Sequence, residues 1–225
     1  MYWKDSAIPE TVAPADVADL AFDISCRSLP ADHAYGLWRE LHAALPWLES
    51  EPAIGVHPIH GAESGNGWMR PDGPEALLQL SRRTKLVLRL PRRRVGDASA
   101  LTGKTLDLDG YRMLVGEPGI RALNPIGTLF SRHVASGTDG EDVFLAQCMR
   151  ELGTLGIAPR KMLCGREARI RTPEGDVLTR SLMLAELTAR ESMQLQLYGL
   201  GPWRKLGCGL FVGHRDIKPV KQDLE

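Results

Sequence analysis

The sequence predicts an α+β fold built as two successive halves, each with the element order βαββαβ. Three observations predict it. A chain of 225 residues with 43% hydrophobic content has room for one large core or two smaller ones of about 100 residues each. Segments of period-two and helical hydrophobicity alternate along it. A stretch at 117–124 containing Pro118 and Gly119 reads as a linker between the halves.

Residues 1–18 hold Pro9 and Pro14 without clear periodicity and read as a lead-in to a first domain over 19–118. Residues 20–26 alternate around Phe22, Ile24 and Cys26 as a strand does. Asp32 is a good N-cap, and Ala34, Leu37, Trp38, Leu41, Leu45 and Leu48 recur at helical spacing, so a helix is predicted from 33 to about 45, ended by Pro46. Residues 54–59 and 76–80 each qualify as the next strand, with 61–73 an irregular polar loop. Residues 85–90 form the clearest strand of the chain, closed by Pro91. A short helix at 97–101 precedes a hairpin, 104–108 with 111–115, across Asp109-Gly110. The second domain, 125–225, is predicted as a strand at 127–135, a helix at 141–155 and strands at 161–164, 168–171 and 177–184. A helix at 188–198 and a last strand at 210–212 complete it.

Composition excludes several classes. Lys plus Arg and Asp plus Glu each number 28, so net charge is zero, against a protein that coats nucleic acid indiscriminately. Residues 1–78 hold twelve of the acids and four of the bases, however, leaving an excess of eight positive charges downstream. That predicts a localised basic surface. No apolar run has the length of a membrane span and no apolar leader is visible, so a cytoplasmic protein without membrane contact is expected. Cys26, Cys148, Cys164 and Cys208 form no C-x-x-C pair, which argues for reduced thiols and against a zinc ribbon.

The most distinctive stretch is Gly199-Leu200-Gly201-Pro202-Trp203-Arg204-Lys205-Leu206-Gly207-Cys208-Gly209. Paired glycines reach positive φ and permit close backbone approach, so glycines flanking Arg204 and Lys205 suit a phosphate-facing loop. The plainer reading is a helix C-cap followed by a turn. Seven basic residues fall between 79 and 94 without an acid, and Arg82, Arg83, Arg92, Arg93 and Arg94 among them are candidate phosphate contacts. Six histidines could serve proton transfer. His33 stands in the first turn of the first helix at the edge of its apolar face, and His42 is about half a turn away, toward solvent. His57 and His60 face apart and make no metal pair. The chain lacks G-x-x-x-x-G-K-[ST], which ranks a nucleotide-phosphate enzyme last.

The order of glycines at 199–209 resembles the glycine-rich loop of the repeat-associated (RAMP) superfamily of CRISPR RNA-binding proteins. Within it the chain resembles the endoribonuclease that cuts precursor CRISPR RNA, from about residue 20 to 214. The resemblance implies two tandem ferredoxin-like, RRM-like domains and a partner in the CRISPR repeat hairpin, with further CRISPR effector-complex subunits as partners and no direct DNA contact. It implies metal-independent cleavage by 2′-hydroxyl attack that leaves a 2′,3′-cyclic phosphate, with no cofactor. A histidine on or just before the first helix is common in that family, which selects His33 as catalytic, with His57 next. Gly199, Gly201, Gly207 and Gly209, with Arg204 and Lys205, would then lie against RNA, and Trp203 would stack on an unpaired base or serve as a buried anchor. A non-catalytic RNA-binding subunit of similar fold is the alternative.

Overall fold

The structure, a computed structural model, describes residues 16–61, 76–137 and 140–214. The lead-in before residue 16 and most of the expected polar loop at 61–73 lie outside the described residues. The chain divides into two compact units, Met1–Leu123 and Asn124–Glu225.

In the first unit, β1 (Val17–Ser25) is followed by β2 (Ser28–Pro30), α1 (Ala34–Ala44), β3 (Gly55–Val56), β4 (Leu77–Gln79), β5 (Lys85–Pro91), α2 (Val95–Ala98), β6 (Thr105–Leu108) and β7 (Tyr111–Ala122). Five of the strands form an antiparallel sheet in the order β3-β5-β1-β7-β6. Both candidates for the second strand are strands, in different sheets: β3 joins the main sheet beside β5, whereas β4 pairs with β2 in a two-stranded sheet of its own. Alternation explains the core. Leu20 and Phe22 of β1, Leu86, Leu88 and Leu90 of β5, and Met113 and Val115 of β7 turn one face toward Leu37 and Leu41 of α1, with Leu45, Leu48, Ala98 and Leu101 closing the cluster.

Two expectations change here. Residues 117–122 continue β7 against β1, with Pro118 opposite Phe22. A register shift lies beside it, between Phe22 and Ile24, where a strand tolerates a residue with no N–H to donate. Pro46 ends α1 and also opens a 3-10 turn, Pro46–Ser50, because a first helical position has no use for the missing N–H. The hairpin across Asp109-Gly110 forms as predicted, with both residues at positive φ (55° and 92°), the geometry of a type I′ turn.

On its other face this sheet buries charge. Arg89 of β5 is 1% exposed, and its guanidinium donates to Asp19 of β1 through Nε at 2.8 Å and Nη2 at 3.0 Å. His57, just past β3, places Nε2 3.5 Å from the same carboxylate. Burial alone would raise the Asp19 carboxyl, but the hydrogen bonds and charges of His57 and Arg89 hold it well below the usual carboxylate range.

The second unit runs β8 (Leu129–Ala135), α3 (Glu141–Thr154), β9 (Lys161–Ile170), β10 (Val177–Ala185), α4 (Ala189–Tyr198) and β11 (Val212–Gly213), with an antiparallel sheet ordered β11-β8-β10-β9. The two short strands expected at 161–164 and 168–171 are one, because the chain passes through Gly165 without leaving the sheet. The Ser181 hydroxyl of β10 fills the place of the missing side chain. Leu129 and Val134 of β8 and Leu182 and Leu184 of β10 pack on Phe144, Cys148 and Leu152 of α3 and Leu195 of α4. Burial pushes the Cys148 thiol up to about 12, which keeps it protonated.

A capping box starts α4: Thr188 accepts from Glu191 N–H, while the Glu191 carboxylate accepts from the Thr188 N–H and hydroxyl, both at 2.8 Å. Arg160 donates to the same carboxylate at 3.1 Å. Burial raises the Glu191 carboxyl, yet its hydrogen bonds outweigh burial and bring it from 4.5 to about 2. A lowered folded-state pKa gives stability that is fully present above the ordinary value and lost as pH falls below it. Glu191→Gln is therefore expected to unfold at lower temperature than wild type at neutral pH, and the gap should close between about pH 4.5 and about pH 2 in a thermal-melt series.

Candidate functional site

The glycine loop begins where α4 stops. Gly199, at φ 69° and ψ −160°, caps the helix, and its N–H donates to the Leu195 carbonyl at 2.9 Å. The chain returns on itself: Leu200 N–H donates to Gly209 C=O at 3.2 Å, and Gly209 N–H donates to the His133 carbonyl of β8 at 2.6 Å. Inside this ring, Trp203 C=O accepts from Leu206 N–H at 2.9 Å and from Cys208 N–H at 3.1 Å. Leu200, Leu206, Cys208, Leu210 and Phe211 are buried beneath it. The expected last strand accordingly starts at Val212, since Leu210 and Phe211 anchor the loop.

All four predicted glycines have positive φ. At Gly199 and Gly209 the space left by the missing side chain is used by the protein itself. A methyl group on Gly209 would overlap the Leu200 carbonyl oxygen, and one on Gly199 would overlap the Gly209 carbonyl oxygen and the Arg204 guanidinium. Gly199 and Gly209 are thus where the two ends of the loop touch. Arg204 turns inward, donating from Nη1 to the Tyr198 carbonyl at 2.6 Å. Trp203 turns outward, 51% exposed, although φ 68° is a backbone state that a bulky residue seldom adopts.

The arginine run proves less uniform than its sequence. Lys85 pairs with Asp23, and Arg89 lies in the buried pair with Asp19. Arg92–Arg94 form a 3-10 turn in which Arg93 donates to Glu51 at 2.8 Å, while Arg94 reaches Glu51 at 3.3 Å and Asp97 at 2.8 Å. Arg94 also lies 4.9 Å over the Trp47 ring. Asp19, Asp23 and Glu51, distant in sequence, and Asp97, just past the end of the run, supply the counter-charge that the run itself lacks, Glu51 from a 3% exposed position. Arg82 and Arg83 stand exposed in the turn between β4 and β5.

His33 is the N-cap residue of α1, one position earlier in the helix than expected, and it is 4% exposed. Its Nδ1 lies 2.9 Å from the Pro30 carbonyl and its Nε2 accepts from Ile59 N–H at 3.0 Å. That pairing fixes a neutral imidazole protonated on Nδ1. It ties the entry of α1 to the segment after β3. His42 stacks on Trp38, one turn back along α1, at 5.4 Å. His133 is buried in β8, with Nδ1 3.0 Å from the Thr179 hydroxyl. Asp19, Arg89 and Glu51 are the charged residues that sequence reasoning missed. A visible signal for Arg89 was its place in an alternating strand whose other positions are apolar.

In this chain a C-terminal glycine loop closes onto a four-stranded antiparallel sheet, after a unit built on a five-stranded sheet. Solved structures share this fold: the product of a Cas6-related gene from Pyrococcus furiosus superposes with TM-score 0.58 at 11% identity, over 87% of this chain and 98% of that one. A RAMP protein described as binding different RNA substrates superposes with TM-score 0.53 at 14% identity, over 87% and 97%. The family model described as Cas6 Crispr matches residues 18–216, and the chain belongs to that family. It is 32% identical over 195 residues to a CRISPR-associated endonuclease Cas6 of Myxococcus xanthus strain DK1622, covering 86% of this chain and 80% of that protein.

The loop geometry gives an ordered expectation for thermal unfolding. Gly209→Ala combines strained φ with overlap on the Leu200 carbonyl and should cost more than about 2 kcal/mol, whereas Gly201→Ala meets only the Glu151 carboxylate, 3.8 Å away, and should cost about 1 kcal/mol, the strain of a left-handed residue. Equal melting temperatures for the two variants would contradict the closed loop.

Proposed function

We propose that this chain is an endoribonuclease that binds the hairpin of CRISPR repeat RNA and cuts precursor transcripts to guide length. The observation that carries the reading is the family match over residues 18–216, joined to 32% identity with a protein named as a CRISPR-associated endonuclease. Both units are read as ferredoxin-like, each built on a βαββαβ core. Arg82 and Arg83, with Lys205 on the loop, are assigned to the RNA backbone. Arg92, Arg93, Arg94 and Arg204 would add phosphate contacts from positions whose internal pairing holds the side chains in place.

Cleavage on this reading needs no metal. A base takes the proton from a ribose 2′-hydroxyl, the oxygen attacks the adjacent phosphorus, and the 5′-oxygen leaves with a proton from an acid, so a 2′,3′-cyclic phosphate remains. We place the proton-transfer role on His57, ahead of His33. The ionised Asp19 carboxylate beside His57 favours the imidazolium that forms when the ring accepts a proton. His33 has both ring nitrogens engaged by backbone groups and serves to hold the segment that carries His57. The same engagement of His33 favours a second reading, an RNA-binding subunit that does not cut.

Repeat RNA from the chain's own locus, incubated with protein in EDTA, separates these readings. Cleavage to a cyclic-phosphate end is expected, slowed about 10²–10⁴-fold by His57→Ala with near-native binding, while His33→Ala should chiefly lower the melting temperature. Cleavage that requires added magnesium, or native single-turnover rates in His57→Ala, would overturn the assignment. In the loop, Trp203→Gly should raise the melting temperature by relieving positive-φ strain and weaken repeat binding about tenfold by removing a stacking surface. Unchanged binding would make Trp203 a bystander.

A further inference from the structure

Helix α3 buries Phe144, Cys148 and Leu152 and turns its opposite face to solvent. At about 100° per residue, Val143, Ala146, Met149 and Gly153 fall within a sector about 120° wide on that outer face. A solvent face of this kind is ordinarily polar or charged. Here Val143 is 57% exposed and Met149 is 47% exposed, and the small, exposed Ala146 and Gly153 lie between them. Two exposed charges share the sector, Asp142 near one end and Arg150 near the other. They stand about 12 Å apart along the helix, too far to pair with one another. Among the described residues neither forms an ion pair within its own chain.

We propose that this face of α3 is where two copies of the chain associate, with the two α3 helices antiparallel about a two-fold axis at Ala146. Such an axis sets each residue against the one equally far on the other side of position 146, and every contact occurs twice. Asp142 of one copy then meets Arg150 of the other at both ends, and Val143 of one copy lies beside Met149 of the other. The smallest side chain of the four falls at the crossing, where two helix axes approach to about 8 Å only if little stands between them. The register that brings the opposite charges together is thus also the one that covers the apolar residues. Charge selects the occupant. One acid and one base on this face give no cationic excess for phosphates or for a lipid surface, whereas a second copy in reverse orientation supplies each charge with its complement. A contact carried by one helix of 14 residues is at the small end of specific interfaces, so the association is weak and follows protein concentration.

Sedimentation of the full chain from about 1 to about 200 µM should show a monomer–dimer equilibrium that shifts with concentration. Arg150→Asp alone and Asp142→Arg alone each place like charges together at both ends of the contact, and each should weaken dimerisation at least about tenfold. An equimolar mixture of the two variants has an acid opposite a base at both ends again, so it should dimerise where neither variant does so by itself. Asp142→Arg also sets a cation against the helix N-terminus, so melting curves are recorded first. Should it fail to fold, Met149→Glu, at a position 47% exposed, is read in its place for loss of the dimer. A wild-type chain that stays monomeric over the whole range overturns the proposal. So does a dimer that persists in folded Arg150→Asp, or a mixture of folded variants that stays monomeric.

Discussion

Two glycine α-carbons that face one another across the ends of the 199–209 loop are the constraint on which the C-terminal site depends. Because neither carries a side chain, Leu200 N–H can reach the Gly209 carbonyl while Gly209 N–H reaches His133 in β8. The loop is thereby fastened to a central strand of its sheet. Everything outward-facing on it follows. Trp203 can be held in an unfavourable backbone state because the ring of hydrogen bonds around it over-determines its position, and Arg204 is drawn inward to the end of α4.

Charge in the first unit obeys a different rule. A sequence run of seven bases looks like one electropositive stripe, but three-dimensional neighbours divide it into one buried pair, an exposed lysine pair, half-neutralised arginines and an exposed turn. Glu51 is the sharpest case: at 3% exposure its carboxylate collects two guanidinium groups from a run more than forty residues away in sequence. Burying a carboxylate is costly without such partners, and the arginines lose rotamer freedom in supplying them. What remains exposed is a smaller, stiffer set of cations than the composition suggests.

The alternating and helical hydrophobic patterns made the element order legible, since a buried sheet face and a helix stripe each leave a regular period in the chain. The Asp109-Gly110 hairpin was legible for the same local reason. Pairing was not: nothing in 55–56 or 77–79 says that the first joins β5 and the second β2, because short strands are placed by their partners. At the site, the glycines of the loop were visible as a pattern while their purpose was not. The reason for Gly209 lies in the Leu200 carbonyl, a contact made only after folding. His33 was singled out by its place at the start of α1, yet the two backbone groups that engage its ring come from Pro30 and from Ile59, the latter in a segment whose route the sequence leaves open.

The pairing of Arg89 with Asp19 across adjacent strands has a consequence for how this protein can vary. Each of the two positions is acceptable only in the presence of the other: a neutral residue at 19 strands a guanidinium with 1% exposure, and a neutral residue at 89 strands a carboxylate beside His57. A one-step path through sequence space is closed at both ends, whereas a joint exchange for two apolar side chains of matching volume is open. The pair therefore behaves as a single hereditary unit written in two codons seventy positions apart.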